Sequence, residues 1–144
     1  MRSISVGYVT NSSSYVEVVI FQKEQELNFT DEELEELCAI ADLFEKQFCI
    51  NFESFKALFD ELQKLEPGTY CLEVWRGDDF NPKAIITQAI VRALVSRNYL
   101  RELFKITCDN GPNEFLTRLD SSETSLLEKY SVPQDREQEK LRSL

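Results

Sequence analysis

Two short stretches near the N-terminus alternate apolar and polar residues in the way that β-strands do. Residues 3–9 alternate, with Ile4, Val6 and Tyr8 on one side, and Tyr15 to Gln22 is rich in β-branched and aromatic residues on both faces. The stretch between them, Thr10 to Ser14, has side chains that hydrogen-bond their own backbone in turns. The pattern therefore predicts an N-terminal β-hairpin whose second strand is buried on both faces.

The next segment has the period of two amphipathic helices. Thr30 is a good N-cap, and Glu33 completes a capping box. The apolar residues of the first helix recur at spacings of three and four: Leu34, Leu37, Ala41, Phe44 and Phe48. A second helix is predicted from Phe52 to Leu65, and Pro67 and Gly68 end it. Because only a few residues join the two helices, they are predicted to form a helical hairpin.

A strand, a helix and a second strand follow. Thr69 to Trp75 has a strand pattern, and Asn81 and Pro82 are an N-cap and a first-turn proline. The helix that they start runs to about Arg97 and is apolar around most of its girth, which is typical of a buried central helix. In the last strand, three side chains are predicted to point inward: Phe104, Ile106 and Cys108. This unit favours a parallel β-α-β crossover.

The C-terminal part has a weaker pattern. Ser121 or Ser122 is predicted to cap a short helix, and residues 133–144 are polar and predicted to be a tail or frayed helix. The whole order predicts one α+β domain over residues 1–132. Its small mixed sheet of about four strands combines the hairpin with the β-α-β unit. The acidic helical hairpin and the buried central helix pack on that sheet.

Charge and composition narrow the function classes. The chain has 144 residues, of which 26 are acidic and 16 are basic, giving a net charge of −10. A field of that sign repels nucleic acid and anionic membranes and favours basic partners. The absence of histidine excludes Ser-His-Asp and Cys-His catalysis and histidine-ligated zinc. We therefore expect a cytoplasmic protein with no cofactor, one that binds another protein rather than an enzyme.

The four cysteines do not form a recognised metal or redox motif. None belongs to a C-x-x-C pair, and no secretory segment is predicted: the residues are Cys38, Cys49, Cys71 and Cys108. Three of the four lie in apolar segments. We expect reduced thiols that pack as small hydrophobic side chains.

The N-terminal loop carries a short motif. The run from Gly7 to Ser14, Gly-Tyr-Val-Thr-Asn-Ser-Ser-Ser, resembles the opening of many small uncharacterised bacterial and phage proteins. The resemblance covers about fifteen residues, implies a bacterial or phage origin and brings no activity with it. A self-bonded hairpin turn explains the loop, and a ligand-binding alternative assigns a phosphate or a partner backbone to Thr10, Asn11, Ser12, Ser13 and Ser14.

Three aspartates follow predicted strands. Asp78 and Asp79 follow the third strand, and Asp109 follows the fourth. If those strands were parallel neighbours, the three carboxylates would share one edge of the sheet and offer oxygen ligands to Mg²⁺. This alternative is a small enzyme acting on a phosphorylated or nucleotide ligand. Aspartate is also ordinary turn chemistry, which is the competing explanation.

The strongest signal is a concentration of negative charge. Nine carboxylates fall between residues 24 and 45. Five lie off the apolar stripe and are the predicted contacts with a basic partner: Glu32, Glu35, Glu36, Asp42 and Glu45. Such a row imitates a phosphate backbone, so we expect an inhibitor of a host nucleic-acid-handling or defence protein, encoded by a phage or mobile element. A solvated helix face and a structural or assembly subunit are the alternatives.

Overall fold

The fold is one small α+β domain in a computed structural model that describes residues 14–109 and 115–129, which confirms the predicted class. The elements in chain order are β1 (Ser14–Lys23), α1 (Asp31–Phe44), a 3₁₀ turn (Lys46–Phe48), α2 (Phe52–Gln63), β2 (Gly68–Gly77), α3 (Pro82–Ser96), β3 (Arg101–Cys108), β4 (Leu116–Arg118) and α4 (121–129). The predicted strand at 3–9 and the predicted tail at 133–144 lie outside the described residues.

The sheet is antiparallel throughout its described part, in the order β3-β1-β2-β4. The predicted mixed sheet is therefore wrong for the described strands, but the β2-α3-β3 unit does connect two parallel strands, as predicted. β2 and β3 do run in the same direction, but β1 lies between them and pairs with both. β2 and β3 occupy both edges of β1 from Val16 to Gln22, and the first strand of the predicted hairpin lies outside the described residues.

The position of β1 follows from its sequence. The strand carries apolar side chains on both faces, which suits the centre of a sheet better than its edge. Val16 on one face is 0% exposed, and Val19 and Phe21 on the other face are each 1% exposed. This confirms the prediction that the strand is buried on both faces.

The two helices of the predicted hairpin form, and the first begins with the predicted capping box. Glu33 N donates to Thr30 Oγ1 over 3.2 Å, and Thr30 N donates to Glu33 Oε1 over 3.0 Å. At the second helix, Ser54 N donates to Asn51 Oδ1 over 2.8 Å. Cap geometry depends on only four consecutive residues, so it is readable from sequence.

The central helix α3 is buried as predicted, with one exception in detail. Ile90 is 0% exposed, and Asn81 Oδ1 accepts hydrogen bonds from Lys83 N and Ala84 N at the first turn. Gln88 is a polar residue of this helix, yet it is only 1% exposed. Its buried amide becomes part of the candidate site described below.

β3 faces the opposite way from the prediction. Leu103 is the buried residue of this strand, whereas Ile106 is 51% exposed. Register explains the difference: Ile106 is paired with Val18, a residue of the sheet face that lies away from the core cluster. Alternation along a strand shows which residues share a face, but not which face the helices cover.

The cap of α4 was also predicted one or two residues too late. Asp120 rather than Ser121 or Ser122 makes the cap, since its Oδ1 accepts from Glu123 N over 2.8 Å and its N donates to Glu123 Oε1 over 3.0 Å. The hydrogen bonds that the Asp120 carboxylate accepts from Glu123 N and from Ser122 Oγ lower the pKa of Asp120.

Candidate functional site

An exposed acidic surface covers the loop before α1 and the first half of that helix. We call the acidic surface the seven exposed carboxylate residues between positions 24 and 36: Glu24, Glu26, Asp31, Glu32, Glu33, Glu35 and Glu36. No basic residue falls within that range of the sequence. Three of the five predicted partner contacts belong to it, namely Glu32, Glu35 and Glu36.

The fold of α1 holds these carboxylates outward. Leu34 and Leu37 are 6% and 3% exposed and anchor the opposite side of the helix in the core. Acidic residues in the first turn are also stabilised by the positive end of the helix dipole. One charge of the acidic surface is compensated, because Arg97 Nη1 lies 2.6 Å from Glu36 Oε1.

The other two predicted contacts do not belong to this surface. Glu45 is only 7% exposed and forms an ion pair with Arg76. The α-helix ends at Phe44, and Glu45 has φ −134° and ψ 59°, so a helical wheel no longer predicts its direction. Asp42 is half-buried, and its Oδ1 accepts a hydrogen bond from Ile50 N over 2.8 Å, which fixes the turn between the helices.

Beneath the helices lies a polar network that the sequence analysis missed. Arg76 of β2 contacts Glu17 of β1 through Nε and Glu45 through Nη2, and Nη2 also donates to Gln88 Oε1. Lys105 Nζ lies 3.6 Å from Glu17 Oε2. Two carboxylates therefore face two cations between the sheet and the helices.

The side chains of this network are largely buried, so the charge of each one depends strongly on its partners. The side chains of Arg76, Glu17 and Glu45 are 15%, 15% and 9% exposed. Desolvation alone would lower the pKa of Arg76, but the hydrogen bonds and charges of the two glutamates outweigh it and raise the pKa. The network ties β1, β2, the end of α1 and the middle of α3 together. A charge inside the otherwise apolar run 15–21 is the signal in the sequence that could have pointed to it.

The three aspartates do not assemble a metal site. Among the described residues, no group of three or more His, Cys, Asp or Glu side chains could hold a metal ion. Asp78 and Asp79 occupy the turn after β2, while Asp109 follows β3 on the far side of β1. Asp79 instead fixes the start of β1, because Ser14 Oγ donates to its Oδ2 over 3.1 Å.

The predicted N-terminal ligand loop is described only at its last residue, Ser14. Residues 10–13 lie outside the described residues, so the motif and its ligand alternative stay predictions. Ser14, its last member, is the first residue of β1, and its Oγ accepts from Asp79 N over 3.0 Å.

The four cysteines form no disulfide with one another in the structure, and their reduced state stays a prediction. Cys38 is buried, Cys71 and Cys108 are half-buried, and Cys49 is exposed. Burial raises the pKa of Cys38 and of Cys71, helped by the negative charges of Asp42 and Glu35 at Cys38. The buried thiols are therefore poor nucleophiles at neutral pH.

Comparisons with protein-family models, curated proteins and solved structures found no match to this chain. Within residues 14–109 and 115–129, no helix combines the length and apolar character needed to cross a membrane.

Proposed function

We propose that the protein binds another protein, and that the acidic surface is the contact area for a basic region of that partner. The observation that carries the proposal is the run of seven exposed carboxylates from Glu24 to Glu36, which is uninterrupted by any basic residue. Six of them lack an ion-pairing cation among the described residues, since only Glu36 is paired with Arg97.

Rigidity supports the proposal as well as charge. Five members lie on the first turns of α1, a 14-residue helix of about 21 Å whose other side is fixed in the core. A charged surface held in one geometry loses little conformational entropy on binding. It also steers a basic partner at distances up to a Debye length, roughly 8 Å at physiological ionic strength.

The favoured partner is a protein whose basic groove normally holds a phosphate backbone. Such a groove presents several lysine or arginine side chains to a line of negative charges. A helix face with carboxylates at successive turns offers a comparable line. An inhibitor that occupies a nucleic-acid channel is therefore the most specific form of the proposal.

The test begins with capture from a bacterial lysate at low salt and identification of bound proteins by mass spectrometry. The test variant carries four substitutions in the acidic surface: Glu24→Gln, Glu26→Gln, Glu32→Gln and Glu35→Gln. The control changes the same net charge at exposed acidic positions elsewhere: Glu53→Gln, Glu61→Gln, Glu66→Gln and Asp109→Asn. We expect the purified captured protein to bind the test variant at least tenfold more weakly, and the control within about twofold of wild type.

Salt and stability give the second readout. The association rate with wild type should fall steeply with ionic strength, and this dependence should weaken in the test variant. Both variants should keep the fold, with little net change in the stability of the test variant, because relief of like-charge repulsion on α1 is offset by the lost interaction of Glu32 with the helix dipole. Equal affinity of wild type and test variant at two salt concentrations would contradict the proposal and leave the acidic surface as a solvated helix face.

A further inference from the structure

A second feature lies at the opposite end of α1 from the acidic surface. It is a cleft of about 430 Å³ between the 3₁₀ turn, the start of β1 and the turn after β2. We call it the aromatic cleft, because three of its lining residues are aromatic: Tyr15, Phe48 and Phe80. Ile85 and Arg76 contribute to its wall. Its size lies within the range of about 300–1,000 Å³ that is typical of ligand pockets.

The walls of the aromatic cleft are set by a rigid turn. Phe80 N donates to Gly77 O over 3.2 Å, and Asn81 N donates to Trp75 O over 3.2 Å. Gly77 has φ 90°, a backbone conformation that favours glycine. The rings of Phe48 and Phe80 lie 5.9 Å apart at 56°, and Phe80 is still 49% exposed. An exposed ring held in one place beside a cleft is a surface that apolar contacts can complete.

Arg76 gives the aromatic cleft a polar specificity. Its Nε and Nη2 are engaged by Glu17, Glu45 and Gln88, whereas its Nη1 makes no hydrogen bond to any described residue. The positive charge of Arg76 is already balanced by the two carboxylates. The group that best complements Nη1 is therefore a neutral acceptor such as a backbone carbonyl, rather than a phosphate or a carboxylate.

Negative charge beside the aromatic cleft indicates which residues should flank the side chain that binds there. Asp79 lies in the turn between Gly77 and Phe80, which both line the aromatic cleft, and its side chain is exposed. Basic residues beside an apolar anchor would meet favourable charge there. We propose that the aromatic cleft receives an aromatic side chain flanked by basic residues from a partner protein, with Arg76 donating to the backbone of that segment.

This inference rests on the proposed function only in that both surfaces bind a basic protein. It can be tested without the natural partner, by NMR titration of the ¹⁵N-labelled protein with capped tripeptides. The probes are Lys-Trp-Lys, Lys-Ala-Lys and Glu-Trp-Glu, together with free indole. We expect Lys-Trp-Lys to shift the amide signals of Phe48, Gly77 and Phe80 saturably, and to bind at least tenfold more tightly than either other peptide.

Two variants make the result specific. Phe80→Ala should weaken Lys-Trp-Lys binding at least fivefold. The control is Leu126→Ala, which removes an exposed apolar side chain outside the aromatic cleft and should leave binding unchanged. The four-Gln variant of the acidic surface should still bind Lys-Trp-Lys at the aromatic cleft, so the two proposals can fail separately.

Three outcomes would overturn this inference. Equal binding of Lys-Trp-Lys and Lys-Ala-Lys would exclude an aromatic anchor, and equal binding of Glu-Trp-Glu would exclude the basic flanks. Free indole that binds as tightly as Lys-Trp-Lys would make the aromatic cleft a small-molecule site instead. Since these comparisons use the wild-type protein, they hold even if Phe80→Ala disturbs the turn.

Discussion

Replacing Arg76 by methionine tests whether the buried polar network supports the fold. Methionine retains much of the apolar stem of arginine but removes the charge, so packing changes less than electrostatics. The substitution leaves Glu17 and Glu45 without their shared cation at side-chain exposures of only 15% and 9%. Lys105, at 3.6 Å from Glu17 and 38% exposed, is too far out to replace Arg76 at Glu45.

The expected loss of stability is large. Removing one partner of a buried ion pair costs about 3–5 kcal/mol, because the remaining charge is left desolvated and uncompensated. A domain of this size has a free energy of unfolding of about 5–15 kcal/mol. Arg76→Met should therefore remove about a fifth or more of the total, in contrast to a surface pair such as Lys83–Glu61, which contributes about 1 kcal/mol or less.

Urea unfolding followed by the fluorescence of Trp75, the one tryptophan of the chain, measures the change. The triple variant Arg76→Met, Glu17→Gln, Glu45→Gln should recover part of the loss, since no uncompensated charge remains in it. Lys83→Met serves as the exposed control. A loss below about 1 kcal/mol for Arg76→Met, or a triple variant less stable than the single one, would refute the reasoning.

Two further predictions concern the thiols and the core. The raised pKa values of Cys38 and Cys71 keep these thiols protonated in the folded state after those of the unfolded chain ionise near pH 8.5, so the free energy of unfolding should fall as pH rises above that value. A Cys38→Ala, Cys71→Ala variant should show a smaller fall in urea midpoint between pH 8 and pH 10, and an unchanged fall would contradict this. Ile90→Asp should abolish cooperative thermal unfolding, measured by circular dichroism, because it places an unpaired charge at a fully buried position at a cost of several kcal/mol. Ala57→Asp, at an exposed position of α2, should unfold cooperatively, and a cooperative transition in Ile90→Asp as well would show that α3 tolerates the charge.

The features that the sequence predicted well are decided within a few residues. The capping box from Thr30 to Glu33 and the start of α3 at Asn81 and Pro82 depend on one helical turn each. The burial of Ile90 follows from apolar residues all around its helix. In these cases the short-range pattern and the tertiary structure agree, which is common in natural sequences.

The features that the sequence did not predict depend on contacts between distant parts of the chain. The ion pair of Arg76 with Glu45 joins residues 31 positions apart, and no local pattern indicates it. Glu45 was predicted as a surface contact because a helical period was extended one residue past the end of α1. The exposed carboxylates of α1 could be predicted, in contrast, because they lie close together in the sequence. The apolar stripe of the same helix is enough to determine which way they face.

The direction of β3 shows a different limit. The alternation of Phe104, Ile106 and Cys108 is real, and the three do share a face of the sheet. Which face the helices cover is decided by the pairing with β1, and pairing cannot be read from one strand. The same limit explains why the strand order and the separation of Asp79 from Asp109 were not predicted.

The central position of β1 has a consequence for the order of events during synthesis. β1 leaves the ribosome first among the described elements, yet its neighbours are β2, which ends at Gly77, and β3, which ends at Cys108. A strand that is apolar on both faces must therefore wait for about 85 further residues before both of its edges are paired. Since contacts so distant along the chain slow folding and leave strand edges exposed, we expect the nascent chain to need chaperone protection until β3 has emerged.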